Sequence, residues 1–108
     1  MPPATWTFLS NHAHVLLCLS AGPDQTLPEI AARVGITTRA VQLILADLIA
    51  EGYVERTKAG RRNHYRINPD GRLRHPLEAH HSVGDLIAAL GPGLHAMTGA
   101  TPRERGAT

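Results

Sequence analysis

The sequence predicts a mainly α-helical domain carrying one β-hairpin, and three observations point there. Leu27 to Tyr53 repeats apolar residues at helical spacing, and a single glycine, Gly35, divides it into two helices joined by a tight turn. Tyr53 to Ile67 then switches to strand-forming residues around Gly60, the pattern of a hairpin. Further helical patterns flank this unit, from Asn11 to about Ala21 and from Leu77 to Leu90.

The elements follow in order. Residues 1–9 form an N-terminal arm, with 1–5 expected to be unstructured and the large apolar Trp6 and Phe8 expected to anchor the first helix. Ser10 is suited to cap that helix, and its Val15-Leu16-Leu17-Cys18-Leu19 run is apolar nearly all round, which predicts a central position. Gly22-Pro23-Asp24 ends it. Thr26 and Glu29 form a T-x-x-E capping box, and Leu27, Ile30, Ala31 and Val34 give the second helix one buried face. Gly35 suits the left-handed residue that closes a helix.

Thr37 caps a third helix, expected from Thr38 to Glu51 with Gly52 as its stop. Val41, Ile44, Leu45, Leu48 and Ile49 share one face of it and must meet a core. Arg39, Leu43, Ala46 and Ala50 lie opposite, flanked by Gln42 and Asp47. This outer face has little bulk along much of its length and carries a guanidinium and an amide near its N-terminal end. A helix entering the major groove of DNA needs that combination, because donors and acceptors must reach base edges without obstruction.

The hairpin that follows has a basic tip. Of the eleven Lys and Arg residues, seven fall between Arg56 and His75, against one of the nine acids, Asp70. The clustering says more than the net charge of +2. Asn68-Pro69-Asp70-Gly71 is a turn, Arg72 to His75 a basic connector, and Pro76 suits the first turn of the last helix. Ala79, Val83, Leu86, Ile87 and Leu90 form an apolar stripe on that helix, which either folds back on Trp6 and the first helix or pairs with a second copy. Residues 91–108, rich in Gly, Thr, Pro and Arg, read as a disordered tail.

Taken together, LPEIAARVGITTRAVQLILADLIAEGYVER followed by GRRNHYRI resembles the winged helix-turn-helix transcriptional regulators of the small ArsR/MarR-like type, over residues 10–67. The resemblance implies a winged helix-turn-helix domain plus a C-terminal helix at 76–90, a DNA-binding regulator, and a homodimer with recognition helices about 34 Å apart. It implies that Thr37, Thr38, Arg39 and Gln42 work in the major groove, while Lys58, Arg61, Arg62, Asn63 and His64 hold flanking phosphates or the minor groove. Val83, Leu86, Ile87 and Leu90 are the expected dimer contacts.

Other chemistries find less support. With 43% apolar residues but only 4% aromatics, the core must be built from Leu, Ile, Val and Ala. One cysteine excludes an intrachain disulfide and suits a reducing cytoplasm, and no apolar run reaches the roughly 18 residues of a membrane span. His14 with Cys18, and His81 with Asp85, share helical spacing, but no C-x-x-C or H-x-x-x-H supports a metal-sensing repressor. The string Ser82-Val83-Gly84-Asp85-Leu86 superficially resembles a metal-sensor signature but lies in the last helix. No cofactor is expected. No G-x-S-x-G, phosphate loop or H-E-x-x-H suggests an enzyme. The alternative of another class is a winged-helix protein-interaction module, which the exposed Leu43 favours and the placement of Arg39, Arg61 and Arg62 opposes.

Overall fold

The structure, a computed structural model, describes residues 6–22 and 24–91. Three helices come first: α1 (Asn11–Ala21), α2 (Leu27–Val34) and α3 (Thr38–Ala50). A hairpin of β1 (Val54–Ala59) and β2 (Arg62–Ile67) follows, and α4 (Val83–Leu90) closes the described chain. Residues 1–5 and 92–108, which include most of the expected tail, lie outside the described residues.

Local chemistry accounts for the helix ends. The Ser10 and Thr37 hydroxyls accept hydrogen bonds from the backbone N–H of Ala13 and Ala40, each satisfying a donor that the first turn leaves unpaired. At α2 the capping box is complete: the Glu29 N–H donates to the Thr26 hydroxyl at 3.3 Å, and the Thr26 N–H to the Glu29 carboxylate at 2.7 Å. Gly35, at φ 87°, then reverses the chain, with the N–H groups of both Gly35 and Ile36 donating to the Ala31 carbonyl. That left-handed residue costs glycine no Cβ clash and makes the turn between α2 and α3 tight.

The core lies where α1, α2 and α3 meet the base of the hairpin. Val15, Leu16, Leu19, Ile30, Ala31, Val41, Ile44, Leu45 and Leu48 are buried, joined by Val54 and Tyr65 from the two strands. Cys18 is buried among them, and burial pushes its thiol up, so it stays protonated and acts as a small apolar side chain. β1 and β2 pair antiparallel from Val54↔Ile67 to Ala59↔Arg62. Strand alternation therefore turns Val54, Ile67 and Tyr65 to one face, where they close the core.

Two expectations are corrected here. The last helix begins at Val83, not Leu77. Residues 75–81 instead form successive tight turns, with the Glu78 N–H donating to the His75 carbonyl and the His81 N–H to the Glu78 carbonyl, both at 2.8 Å. The reason is a second capping box, in which Ser82 accepts from the Asp85 N–H at 3.1 Å and Asp85 accepts from the Ser82 N–H at 3.0 Å. Ala79 and Leu77 consequently stand exposed outside any helix. The second correction concerns the arm. Trp6 and Phe8 do not anchor α1: they are 66% and 91% exposed and pack edge-to-face on each other with centroids 4.9 Å apart.

The segment after the hairpin is stitched to its base. The Tyr53 hydroxyl donates to the Arg72 carbonyl at 2.5 Å, and the Tyr53 carbonyl accepts from the Asn68 N–H at 2.9 Å. A Cβ on Gly71 would come within 2.7 Å of the Tyr53 ring, so any larger residue would have to displace that ring. The Val83 and Gly84 N–H groups donate to the carbonyls of Gly71 and Pro69, which leads the chain straight into α4.

Candidate nucleic-acid interface

The division of α3 into two faces is the first part of the site. Val41, Ile44, Leu45 and Leu48 are buried and Ile49 is half-buried against them. Arg39, Gln42, Leu43, Ala46 and Ala50 are exposed, and Leu43 is 53% so. Thr37 and Thr38 begin the same helix. The Thr37 hydroxyl oxygen is used as the cap, and Thr38 is half-buried. Thr37, Thr38, Arg39 and Gln42 thus occupy the start of one helix, with Arg39 and Gln42 projecting from the side away from the core.

The hairpin supplies the second part. Gly60, at φ 69°, is the first of the two residues that link the paired Ala59 and Arg62, and it sets Arg61 at the tip. Lys58 and Arg61 are exposed and take part in no ion pair among the described residues. The other expected wing contacts sit differently. Asn63 is half-buried, its amide donating to the Tyr65 hydroxyl at 3.4 Å. His64 Nδ1 lies 2.7 Å from Asp24 Oδ1, and the Arg62 guanidinium donates to the Asp24 carbonyl at 3.2 Å.

Asp24 went unnoticed in the sequence, where it reads only as the end of α1. No local pattern could have exposed it, because its partners come from the far side of the chain. Arg56, also exposed on β1, adds a cation that the sequence expectations did not single out.

The expected dimer residues are also divided. Val83 is 1% exposed and belongs to the chain's own core, so it is withdrawn as a partner contact. The capping box at Ser82 turns it inward. Leu86 and Ile87 are half-buried, with Ile87 packed against that core, and Leu90 is 49% exposed. Between α1, the end of α3 and α4 runs a groove of about 820 Å³, walled by Leu16, Leu48, Tyr53, Leu73 and Leu86, with Phe8 at one side. His12 and Asp47, 2.8 Å apart, tie α1 to α3 at its edge.

Among the described residues no three His, Cys, Asp or Glu side chains gather as a metal-binding set. His14 pairs with Asn11 at 3.1 Å, and His81 with Asp85 at 3.1 Å. No helix among them is long and apolar enough to cross a membrane.

Comparison with known proteins agrees with this geometry. No curated protein matches the chain. The family model of the MarR family matches residues 6–62, from the arm through the first three helices and to the first residue of the second strand of the wing. With a cap-and-glycine helix pair, an outward face on α3 and a basic hairpin behind it, the chain belongs to the MarR family and is a winged-helix, DNA-binding transcriptional regulator.

Proposed function

We propose that the protein reads specific double-stranded DNA sequences, with α3 in the major groove and the hairpin against the flanking backbone or minor groove. The observation that carries this reading is the exposed N-terminal face of α3, where Arg39 and Gln42 project beside the small Ala46. An arginine can donate twice to guanine O6 and N7, and a glutamine can pair with adenine N6 and N7. Lys58 and Arg61, which take part in no ion pair among the described residues, supply cations for phosphates, contacts that position the protein without reading bases. Thr37 and Thr38 sit where backbone contacts fall, and a bound duplex recruits Arg62, Asn63 and His64 only by competing with their present partners.

The working form is proposed to be a homodimer acting in the cytoplasm. Leu90 and the exposed side of α4, with Leu86 and Ile87 at its edge, offer an apolar surface for a second copy. Two copies would set their α3 helices about 34 Å apart and favour inverted-repeat sites. Selection of bound duplexes from a randomised library at fixed salt tests the reading. Enrichment of an inverted repeat with half-sites about ten base pairs apart is expected. A flat profile would overturn it and favour a protein-interaction module.

A further inference from the structure

The cations of the wing do not share one situation. Arg66 is paired with Glu55 across the hairpin, while Arg61 at the tip and Lys58 beside it take part in no ion pair among the described residues. Arg62 and His64 stand on the same face of β2, and both turn to one residue of the loop between α1 and α2. The Asp24 carboxylate holds the His64 ring at 2.7 Å, and the Asp24 carbonyl accepts from the Arg62 guanidinium at 3.2 Å.

This contact lies where the wing is otherwise poorly held. The inner half of the hairpin is fixed by Val54 and Tyr65 in the core. Its outer half stands off from the α1–α2 loop across a cleft of about 240 Å³, lined by Asp24, Gln25, Leu27, Arg61 and Asn63. A two-stranded ribbon has little rigidity of its own, so whatever spans that cleft sets the angle of the tip. Asp24 spans it with both its side chain and its backbone.

We propose that Asp24 is a positioning residue for DNA binding. By clasping His64 and Arg62 it fixes the angle of the wing and leaves Arg61 and Lys58 as the cations that meet the duplex. The proposal rests on the DNA-reading function above. Loss of the carboxylate releases His64, frees the outer hairpin to swing, and removes an anion close to the phosphates. General affinity for DNA then rises while the preference for one site falls. A residue that only stabilised the fold would lower both together.

The test compares wild type with Asp24→Ala, Asp24→Glu, His64→Ala and the Asp24→Ala/His64→Ala double variant, in two measurements. Without DNA, amide exchange is followed across the chain. An exposed pair of this kind is worth a factor of about two to five in an equilibrium constant. Asp24→Ala and His64→Ala should each speed exchange of the wing amides by about that factor, the double variant should add little, and α1 to α3 should be unchanged. With DNA, each protein is titrated with its selected site and with random duplex over a series of salt concentrations. Asp24→Ala should raise the affinity for random duplex by about two- to fivefold, most at low salt, because it removes an anion close to the phosphates. It should also lower the site-to-random ratio by about two- to fivefold, and Asp24→Glu should restore much of that ratio. Unchanged wing exchange in Asp24→Ala, or effects of the two single variants that simply add, would overturn the clasp. Wing exchange that responds as expected in a protein with no preference for any duplex would overturn the DNA-reading function instead.

Discussion

Arg39 occupies the second position of α3, where a cation is unfavourable for the fold. The helix dipole places partial positive charge at that end, and no acidic residue stands in the first turn to offset it. The side chain is exposed and takes part in no ion pair among the described residues. Arg39→Ala should therefore stabilise the free protein by about 0.3–1 kcal/mol, the range for a charge at a helix terminus. At about 4–8 °C per kcal/mol for a small domain, melting should rise by about 1–8 °C. Recognition should move the other way. A lost bidentate contact to guanine removes about 1–3 kcal/mol of discrimination, or roughly five- to 150-fold at one base pair of each half-site. Thermal melting by far-ultraviolet circular dichroism and binding to single-base variants of the selected site, at one salt concentration, give the two numbers. A variant that melts lower than wild type, or one that keeps the full preference at every base pair, would refute the reasoning.

Arg61→Ala should flatten the salt dependence of binding by about 1.8 slope units, about 0.9 for each wing of the proposed dimer, which is about a twelvefold smaller loss of affinity over a fourfold rise in salt. An unchanged slope would show that the tip does not reach a phosphate. Leu90→Lys should dissociate the proposed dimer without unfolding it, because the side chain is half exposed and a cation suits a helix C-terminus. Sedimentation of that variant as a dimer would move the interface elsewhere, with the Trp6–Phe8 arm next in line. Glu29 and Asp85 are both held below the ordinary carboxylate range, chiefly by the backbone N–H groups of Thr26 and Ser82. A depressed folded value means that their stabilisation is present above the unfolded range, near pH 4, and is lost as pH falls through the lower folded values. Glu29→Gln with Asp85→Asn should therefore lessen the acid-induced loss of stability below about pH 4, and superimposable acid limbs would show that the capping carboxylates do not contribute.

The legible parts of this fold are those whose determinants are close together in the chain. Thr26 and Glu29, Gly35, and Thr37 each announce a helix boundary within four residues, and the structure uses them as the sequence suggests. Ser82 and Asp85 are written in the same grammar, yet Pro76, Leu77 and Ala79 fit a longer helical period and masked it. Periodicity shows which residues could share a face, not whether a surface exists to cover them, and Leu77 ends 79% exposed. Size misled in the same way at Trp6 and Phe8. The wing's charge was plain, but its division between engaged and unengaged cations depends on Asp24, which is 40 positions from His64. Such a contact is made by folding and leaves no trace in spacing.

The position of Trp6 bears on how this molecule can be observed. It is the sole tryptophan, and it stands 66% exposed on the arm rather than in the core. Its emission will already resemble that of a solvated indole in the native state, so denaturant should change it little while the helical signal collapses. The same residue packs on Phe8, which flanks the groove between α1 and α4. Tryptophan fluorescence is thus a poor reporter of unfolding in this protein and a sensitive one of anything that comes to rest against the arm.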